Sequence, residues 1–113
     1  MKTSEFISFV VSLENNNLDL SDTHTLHSVL GIAGEAGEII DLVKKSVVYH
    51  QTLDIKNLKE ELGDLLHYVA MLLNAQNWSF EEVFESNAIK LRKRYPNGFT
   101  YEDAVARKDK QGD

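Results

Sequence analysis

The chain has 113 residues, enough for one folded domain and too few for two of ordinary size. It contains no cysteine, which excludes disulfides, zinc–thiolate sites and a cysteine nucleophile. The formal net charge of −6 argues against a general nucleic-acid-binding protein, because phosphate contacts need a cationic surface. No segment approaches ~18 continuous apolar residues, and the first residues lack a signal-peptide cleavage site. We therefore expect a cytoplasmic protein that binds neither membrane nor nucleic acid.

Apolar residues recur at helical spacing along most of the chain, and no segment alternates apolar and polar residues over the length of a strand. The sequence predicts a first helix over about residues 3–14, a polar connection over residues 15–22 and a long second helix from there to about residue 49. A third helix begins after the capping residue Asp54 and extends to about residue 76. The expected core-facing side chains are Phe6, Phe9, Val10 and Leu13 in the first helix, Val29, Ile32, Ala36, Ile39, Ile40, Val43 and Val47 in the second, and Leu58, Leu62, Leu65, Val69, Leu72 and Leu73 in the third.

The fourth helix has the most clearly marked start. Ser79 is a natural N-cap, and Glu82 follows three residues later as in a capping box. The helix is expected to end at the segment YPNG, because Pro96 and Gly98 both interrupt helices. Thr100 caps a short last helix, and we expect the tail KDKQGD to be frayed.

These elements predict an all-α bundle of four to five helices with antiparallel long helices. We expect a single domain over residues 1–113, with its core at about residues 3–95 and a short C-terminal helix after residue 100.

Two acidic pairs with the same spacing lie on the two longest predicted helices. Glu35 and Glu38 belong to the segment GIAGEAGEIID, and Glu61 and Asp64 belong to EELGDLLHYV. At ~100° per residue, the members of each pair are neighbours at the edge of the core-facing surface. If the two helices pack antiparallel through these surfaces, the four carboxylates converge.

Converging carboxylates favour a bound cation. Like charges ~4 Å apart repel by ~4 kcal/mol at an effective dielectric constant of ~20. Mg²⁺ and Mn²⁺ prefer carboxylate oxygens, and neither pair contains a Cys or His ligand suited to zinc. Gly34 and Gly37 cost ~1 kcal/mol each relative to Ala in a helix, and would let a helix or a ligand approach closely. Helix packing alone also explains the glycines, and a solvated helix edge also explains either acidic pair by itself.

The motifs resemble those of the MazG-like all-α nucleoside triphosphate pyrophosphohydrolases, a family recognised by E-x-x-E followed by E-x-x-D. Glu35 and Glu38 match the first motif, and Glu61 and Asp64 match the second. A third segment, NAIKLRKRYPNGFT, resembles the family's N-x-x-K-x-x-x-R segment ahead of a proline and an aromatic residue. Together the three blocks cover about residues 25–100.

The resemblance implies that the four carboxylates bind Mg²⁺, with Mn²⁺ as a substitute, and serve as the catalytic residues. A metal-activated water would attack the α-phosphorus of a ribo- or deoxyribonucleoside triphosphate and release the monophosphate and pyrophosphate. Asn87, Lys90 and Arg94 lie within about 60° of each other on the fourth helix and offer donors to phosphate oxygens. Family members are usually homodimers or homotetramers, so we expect an oligomer with active sites close to subunit interfaces.

Two residues and two alternative functions complete the hypothesis. Tyr68 projects on the side of Glu61 and is expected to contact the substrate. His67 stands where many relatives carry an aromatic residue, and three roles stay open for it: contacting the base, orienting Asp64, or lying on the surface.

The same acidic pairs also suit phosphoribosyl-ATP hydrolysis. A helical interaction module with a structural metal site is the non-catalytic alternative.

Overall fold

The computed structural model describes residues 1–14 and 21–111, apart from the side chains of residues 21 and 22. This part of the chain forms helices and no β-strand, which confirms the predicted all-α fold. None of the helices in the described ranges is both long and apolar enough to span a membrane. The connection was predicted over residues 15–22. Residues 15–20 lie outside the described residues, and the second helix begins at residue 21. The helices are α1 (Thr3–Ser12), α2 (Ser21–Val48), α3 (Ile55–Gln76), α4 (Phe80–Arg94), α5 (Tyr101–Ala106) and a 3₁₀ helix (Lys108–Lys110).

Three helices begin at the residues that the sequence predicts as N-caps. The side chain of Asp54 accepts a hydrogen bond from the backbone N–H of Asn57 at 3.0 Å, at the start of α3. Ser79 and Thr100 accept corresponding bonds at the starts of α4 and α5, at 3.1 and 3.0 Å. Each bond satisfies a backbone donor that the first helical turn leaves free.

Residues 1–78 form one compact unit, which contains α1, α2 and α3. Helices α2 and α3 are antiparallel. Thr25, near the start of α2, accepts a hydrogen bond at 3.0 Å from Gln76, at the end of α3. Further along the pair, Gly31 of α2 faces Tyr68 of α3. The buried apolar side chains of this unit come from all three helices and include Val10, Leu42, Ala70, Met71 and Leu73.

The prediction of which apolar side chains of α2 are buried is partly wrong. Ser28 is fully buried and Leu42 is 8% exposed, so the buried face passes through these positions and through Glu35. Ser28 is accommodated because its hydroxyl donates to the carbonyl of His24 at 2.7 Å. The buried face of α2 is therefore rotated away from the predicted apolar stripe and towards small and polar residues. Such residues allow close approach between helices. The residues expected in the core that are exposed instead are Val29, Ile40, Val43 and Val47 on α2, together with Phe9, Leu13 and Leu62 elsewhere.

Residues 79–113 form a second compact unit, whose described part contains α4, α5 and the 3₁₀ helix. Arg94 at the end of α4 binds Asp109 of the 3₁₀ helix through two parallel hydrogen bonds, Nε to Oδ1 at 2.7 Å and Nη2 to Oδ2 at 2.8 Å. The Asp109 side chain is 1% exposed. The expectation of a frayed tail is therefore wrong for residues 108–110, because a buried two-point ion pair fixes them to α4.

Candidate active site

Three carboxylates converge between α2 and α3. Glu35 of α2 and Glu61 and Asp64 of α3 each place one carboxylate oxygen within 4.8 Å of the others, and we call this set the acidic cluster. Glu61 and Asp64 lie one helical turn apart and so share a side of α3. The antiparallel arrangement brings Glu35 opposite them. The predicted convergence of the two acidic motifs is thus present for three of the four residues.

The negative charges of the acidic cluster repel each other. A side-chain hydrogen bond with Glu35 raises the pKa of Glu61 above its usual value, and partial desolvation acts in the same direction. The negative charges of Glu35 and Asp64 raise the pKa further, because ionising Glu61 adds a third like charge. Oε2 of Glu35 is buried and has no hydrogen-bond partner. A buried acceptor without a donor is costly, so the arrangement suits a ligand that carries positive charge.

The donor set fits a hard divalent cation. All three members offer carboxylate oxygens, which Mg²⁺ and Mn²⁺ prefer, and two of them are partly buried. The unpartnered Oε2 of Glu35 supplies a direct structural reason for a cation at this position. The chain thus has a carboxylate cluster able to hold a divalent metal ion between two helices.

Glu38, the fourth predicted ligand, lies outside the acidic cluster. Its side chain is exposed on α2, one turn after Glu35. Gly34 and Gly37, the two glycines of the same motif, have no atom within 4 Å of the position that a Cβ would occupy. Neither glycine therefore accommodates a close helix contact within the described residues.

Tyr68 occupies the seam between α2 and α3, next to the acidic cluster. Its ring lies so close to Gly31 that a Cβ atom at position 31 would overlap it. The ring also contacts His27 and His67 in edge-to-face geometry, with centroid distances of 5.8 and 5.1 Å. His67 is partly buried beside this ring. The close contact at Gly31 was not predicted, although its position four residues before Glu35 places both on one side of α2.

The predicted phosphate-binding residues lie on α4, in the second compact unit. Asn87 and Lys90 are exposed, as binding residues must be before a ligand arrives. Arg94 is mostly buried and uses Nε and Nη2 to bind Asp109. This ion pair lowers the pKa of Asp109 well below its usual range. The strong structural role of Arg94 was not foreseen, because its partner is 15 residues away in the chain.

The chain is similar in sequence to known proteins. The MazG nucleotide pyrophosphohydrolase domain matches residues 23–99, a range that contains both acidic motifs and the α4 segment. The chain is 37% identical over 75 residues to the Gene 37 protein of Mycobacterium phage L5. That alignment covers 61% of this chain and 64% of the phage protein, so the chain spans less than two thirds of this relative. No solved structure matches the chain significantly. The acidic motifs, the helical fold and the matched range together show that the chain belongs to the MazG nucleotide pyrophosphohydrolase domain family.

Proposed function

We propose that this protein is a Mg²⁺-dependent nucleoside triphosphate pyrophosphohydrolase, able to use Mn²⁺ in place of Mg²⁺. It would convert a nucleoside or deoxynucleoside triphosphate into the monophosphate and pyrophosphate. The observation that carries the proposal is the acidic cluster, in which Oε2 of Glu35 is buried without a partner and Glu61 resists ionisation. Membership of a nucleotide pyrophosphohydrolase family supports the reaction class.

The catalytic roles follow from what each side chain offers. Glu35, Glu61 and Asp64 would hold the cation, and we propose Glu38 as a fourth ligand because it lies one turn from Glu35. When bound, Mg²⁺ would neutralise phosphate charge and lower the pKa of a coordinated water. A carboxylate of the acidic cluster would orient that water towards the α-phosphorus and accept its proton. Phosphoryl transfer requires little more from a protein than such positioning and charge stabilisation.

Substrate binding is assigned to residues with free donors. We propose that Asn87 and Lys90 of α4 bind phosphate oxygens, and that Tyr68 contacts the substrate beside the acidic cluster. We propose that Arg94 also binds a phosphate oxygen, through Nη1, because its hydrogen bonds to Asp109 use Nε and Nη2. The match to one family domain across both compact units supports the proposal that residues 1–113 act as a single catalytic domain. Because nucleoside triphosphates are its substrates, we place the enzyme in the cytoplasm.

We further propose that the protein is a homodimer or homotetramer. One side of α2 exposes a row of large apolar side chains at helical spacing, since Val29, Ile40, Val43 and Val47 lie within about 60° of each other and are each more than 40% exposed. A contiguous apolar surface of this kind is typical of an interface. We assign it to a second copy of the chain, in agreement with the oligomers of the family it resembles. Sedimentation equilibrium that gave a monomer at micromolar concentration would contradict this assignment.

The reaction is tested by product analysis. Purified protein is incubated with the eight common ribo- and deoxyribonucleoside triphosphates in Mg²⁺, and the products are separated by ion-exchange chromatography. We expect monophosphate and pyrophosphate in equal amounts. In ¹⁸O-labelled water the label should appear in the monophosphate, because attack occurs at the α-phosphorus. Diphosphate and orthophosphate as products, or no hydrolysis in either Mg²⁺ or Mn²⁺, would overturn the proposal.

Isosteric variants test the role of the acidic cluster. Glu35→Gln and Asp64→Asn preserve shape and remove the charge that binds the cation, so both should reduce kcat by at least ~100-fold. Glu60→Gln is the matched control, because Glu60 is an exposed glutamate of α3 next to Glu61 and outside the cluster. Equal activity in all three variants would exclude the acidic cluster as the catalytic site.

A further inference from the structure

A second feature of the first compact unit is a cavity of about 170 Å³. It lies where the end of α1 and the start of α2 meet the middle of α3. One part of its wall is aromatic and apolar and includes His67, Tyr68 and Met71. Glu14 and His24 supply the polar part.

Both polar residues have an unsatisfied buried atom. The Glu14 side chain is only 9% exposed, and its Oε1 has no hydrogen-bond partner. The other oxygen, Oε2, lies 3.8 Å from Nδ1 of His24, while Nε2 of His24 is buried and unpartnered. Buried polar atoms normally have partners, because leaving one unpaired costs about 1–3 kcal/mol. Two unpaired atoms on one cavity indicate a ligand that supplies the missing hydrogen bonds.

The cavity lies along the same seam as the acidic cluster. His24 precedes Glu35 by three helical turns, about 16 Å along α2 and about 20° around it. On α3, His67 and Tyr68 follow Asp64 by one turn. Tyr68 borders the cavity and also packs on Gly31, one turn before Glu35. A nucleotide with its phosphates at the acidic cluster can therefore place its base in the cavity.

We propose that the cavity binds the base of a cytosine nucleotide and that Glu14 is the residue that selects it. This inference rests on the proposed function, since it assigns the substrate of the same site. A cavity of ~150 Å³ binds benzene, so this one accommodates a single six-membered ring. The volume of the cavity thus suits a pyrimidine base.

The choice among pyrimidines follows from the unpaired carboxylate oxygen. An ionised carboxylate only accepts hydrogen bonds, and the 4-amino group of cytosine is a donor that Glu and Asp recognise. Uracil and thymine carry a carbonyl oxygen at that position, which Oε1 of Glu14 would repel. Nε2 of His24 donates to N3 of the cytosine ring, and the ring of Tyr68 contacts the base.

Steady-state kinetics test the selection. We expect wild-type kcat/KM for dCTP to exceed that for dUTP, dTTP, dATP and dGTP by at least ~10-fold. Glu14→Gln keeps the shape and replaces one acceptor by an amide N–H₂, which suits the 4-carbonyl of uracil. It should lower kcat/KM for dCTP ~10- to 100-fold and leave dUTP unchanged or improved. Glu5→Gln, at an exposed glutamate of α1, is the control and should change neither value.

Binding without chemistry separates this inference from the proposed function. With EDTA present, calorimetry should show dCMP binding to wild-type protein at least ~10-fold more tightly than dUMP, and Glu14→Gln should remove the difference. Selective dCMP binding without hydrolysis of any triphosphate would support the cavity assignment and overturn the proposed reaction. Hydrolysis with equal kcat/KM for dCTP and dUTP in both proteins, or with a purine preferred, would overturn the cavity assignment alone.

Discussion

Tyr68 of α3 lies directly over Gly31 of α2, and no side chain larger than hydrogen fits beneath its ring. The contact is one turn from Glu35 on α2 and one turn from Asp64 on α3. It therefore sets how closely the two helices approach beside the acidic cluster. The separation of the carboxylates depends on this spacing as much as on the carboxylates themselves.

Gly31→Ala should destabilise the protein even though alanine favours helices. The new Cβ would displace the Tyr68 ring, and overpacking of this kind costs about 1–3 kcal/mol, more than the ~1 kcal/mol gained in helix propensity. Gly34→Ala is the control, because a Cβ there meets no atom within 4 Å and should stabilise the protein by up to ~1 kcal/mol. Urea unfolding measures both values. Equal stabilisation by both substitutions would show that the Tyr68 ring moves aside freely.

Glu61→Gln should raise the melting temperature of the metal-free protein by a few degrees. The substitution removes one of three converging negative charges and leaves a neutral group, which the raised pKa of Glu61 shows to be favoured there. It should also abolish the further stabilisation that we expect Mg²⁺ to give the wild type. Differential scanning calorimetry in EDTA and in Mg²⁺, with Glu60→Gln alongside, provides the comparison. A lower melting temperature in EDTA would contradict the repulsion argument.

Glu38→Gln should weaken metal binding without abolishing catalysis. Glu38 is exposed and lies outside the three-oxygen group, so its loss leaves the other ligands in place. We expect the Mg²⁺ concentration for half-maximal activity to rise about tenfold, with kcat at saturating Mg²⁺ reduced much less than in Glu35→Gln. A Mg²⁺ titration of activity distinguishes the two variants. An unchanged Mg²⁺ requirement would remove Glu38 from the ligand set.

Asp109→Asn should lower the melting temperature at neutral pH by several degrees, because Arg94 would lose its buried counter-charge. The effect should depend on pH. The folded-state pKa of Asp109 is below its unfolded value of about 4, so its contribution to stability is present above that pH. The contribution is then lost as the pH falls below about 4. Melting followed by circular dichroism from pH 7 to pH 2.5 should show the two proteins converging, and a constant difference would contradict the ion-pair explanation.

Local chemistry made much of the fold predictable. The caps at Asp54, Ser79 and Thr100 were identified correctly because an N-cap is decided by residues within one helical turn. The helix type was also clear, since apolar spacing is a local property. The pairing of two acidic motifs on two long helices predicted the convergence of Glu35 with Glu61 and Asp64.

Features decided by distant partners were not predictable in the same way. The apolar stripe of α2 placed Val29 and Ile40 in the core, but the face that meets α3 is centred nearer Ser28. Average hydrophobicity cannot reveal that a small hydroxyl residue, bonded to its own helix, allows closer packing. The pair of Arg94 with Asp109 was missed for the same reason, because nothing in the intervening residues indicates that the two charges meet.

The antiparallel pairing of α2 and α3 would link folding and the proposed metal binding in a single equilibrium. Glu35 and the two acidic residues of α3 are far apart in the chain and become neighbours only when the helical hairpin closes. A cation that binds only the closed form stabilises it by about 2.7 kcal/mol at a concentration 100 times its Kd. The supply of divalent cations would then affect how much of the protein is folded, as well as how fast it works.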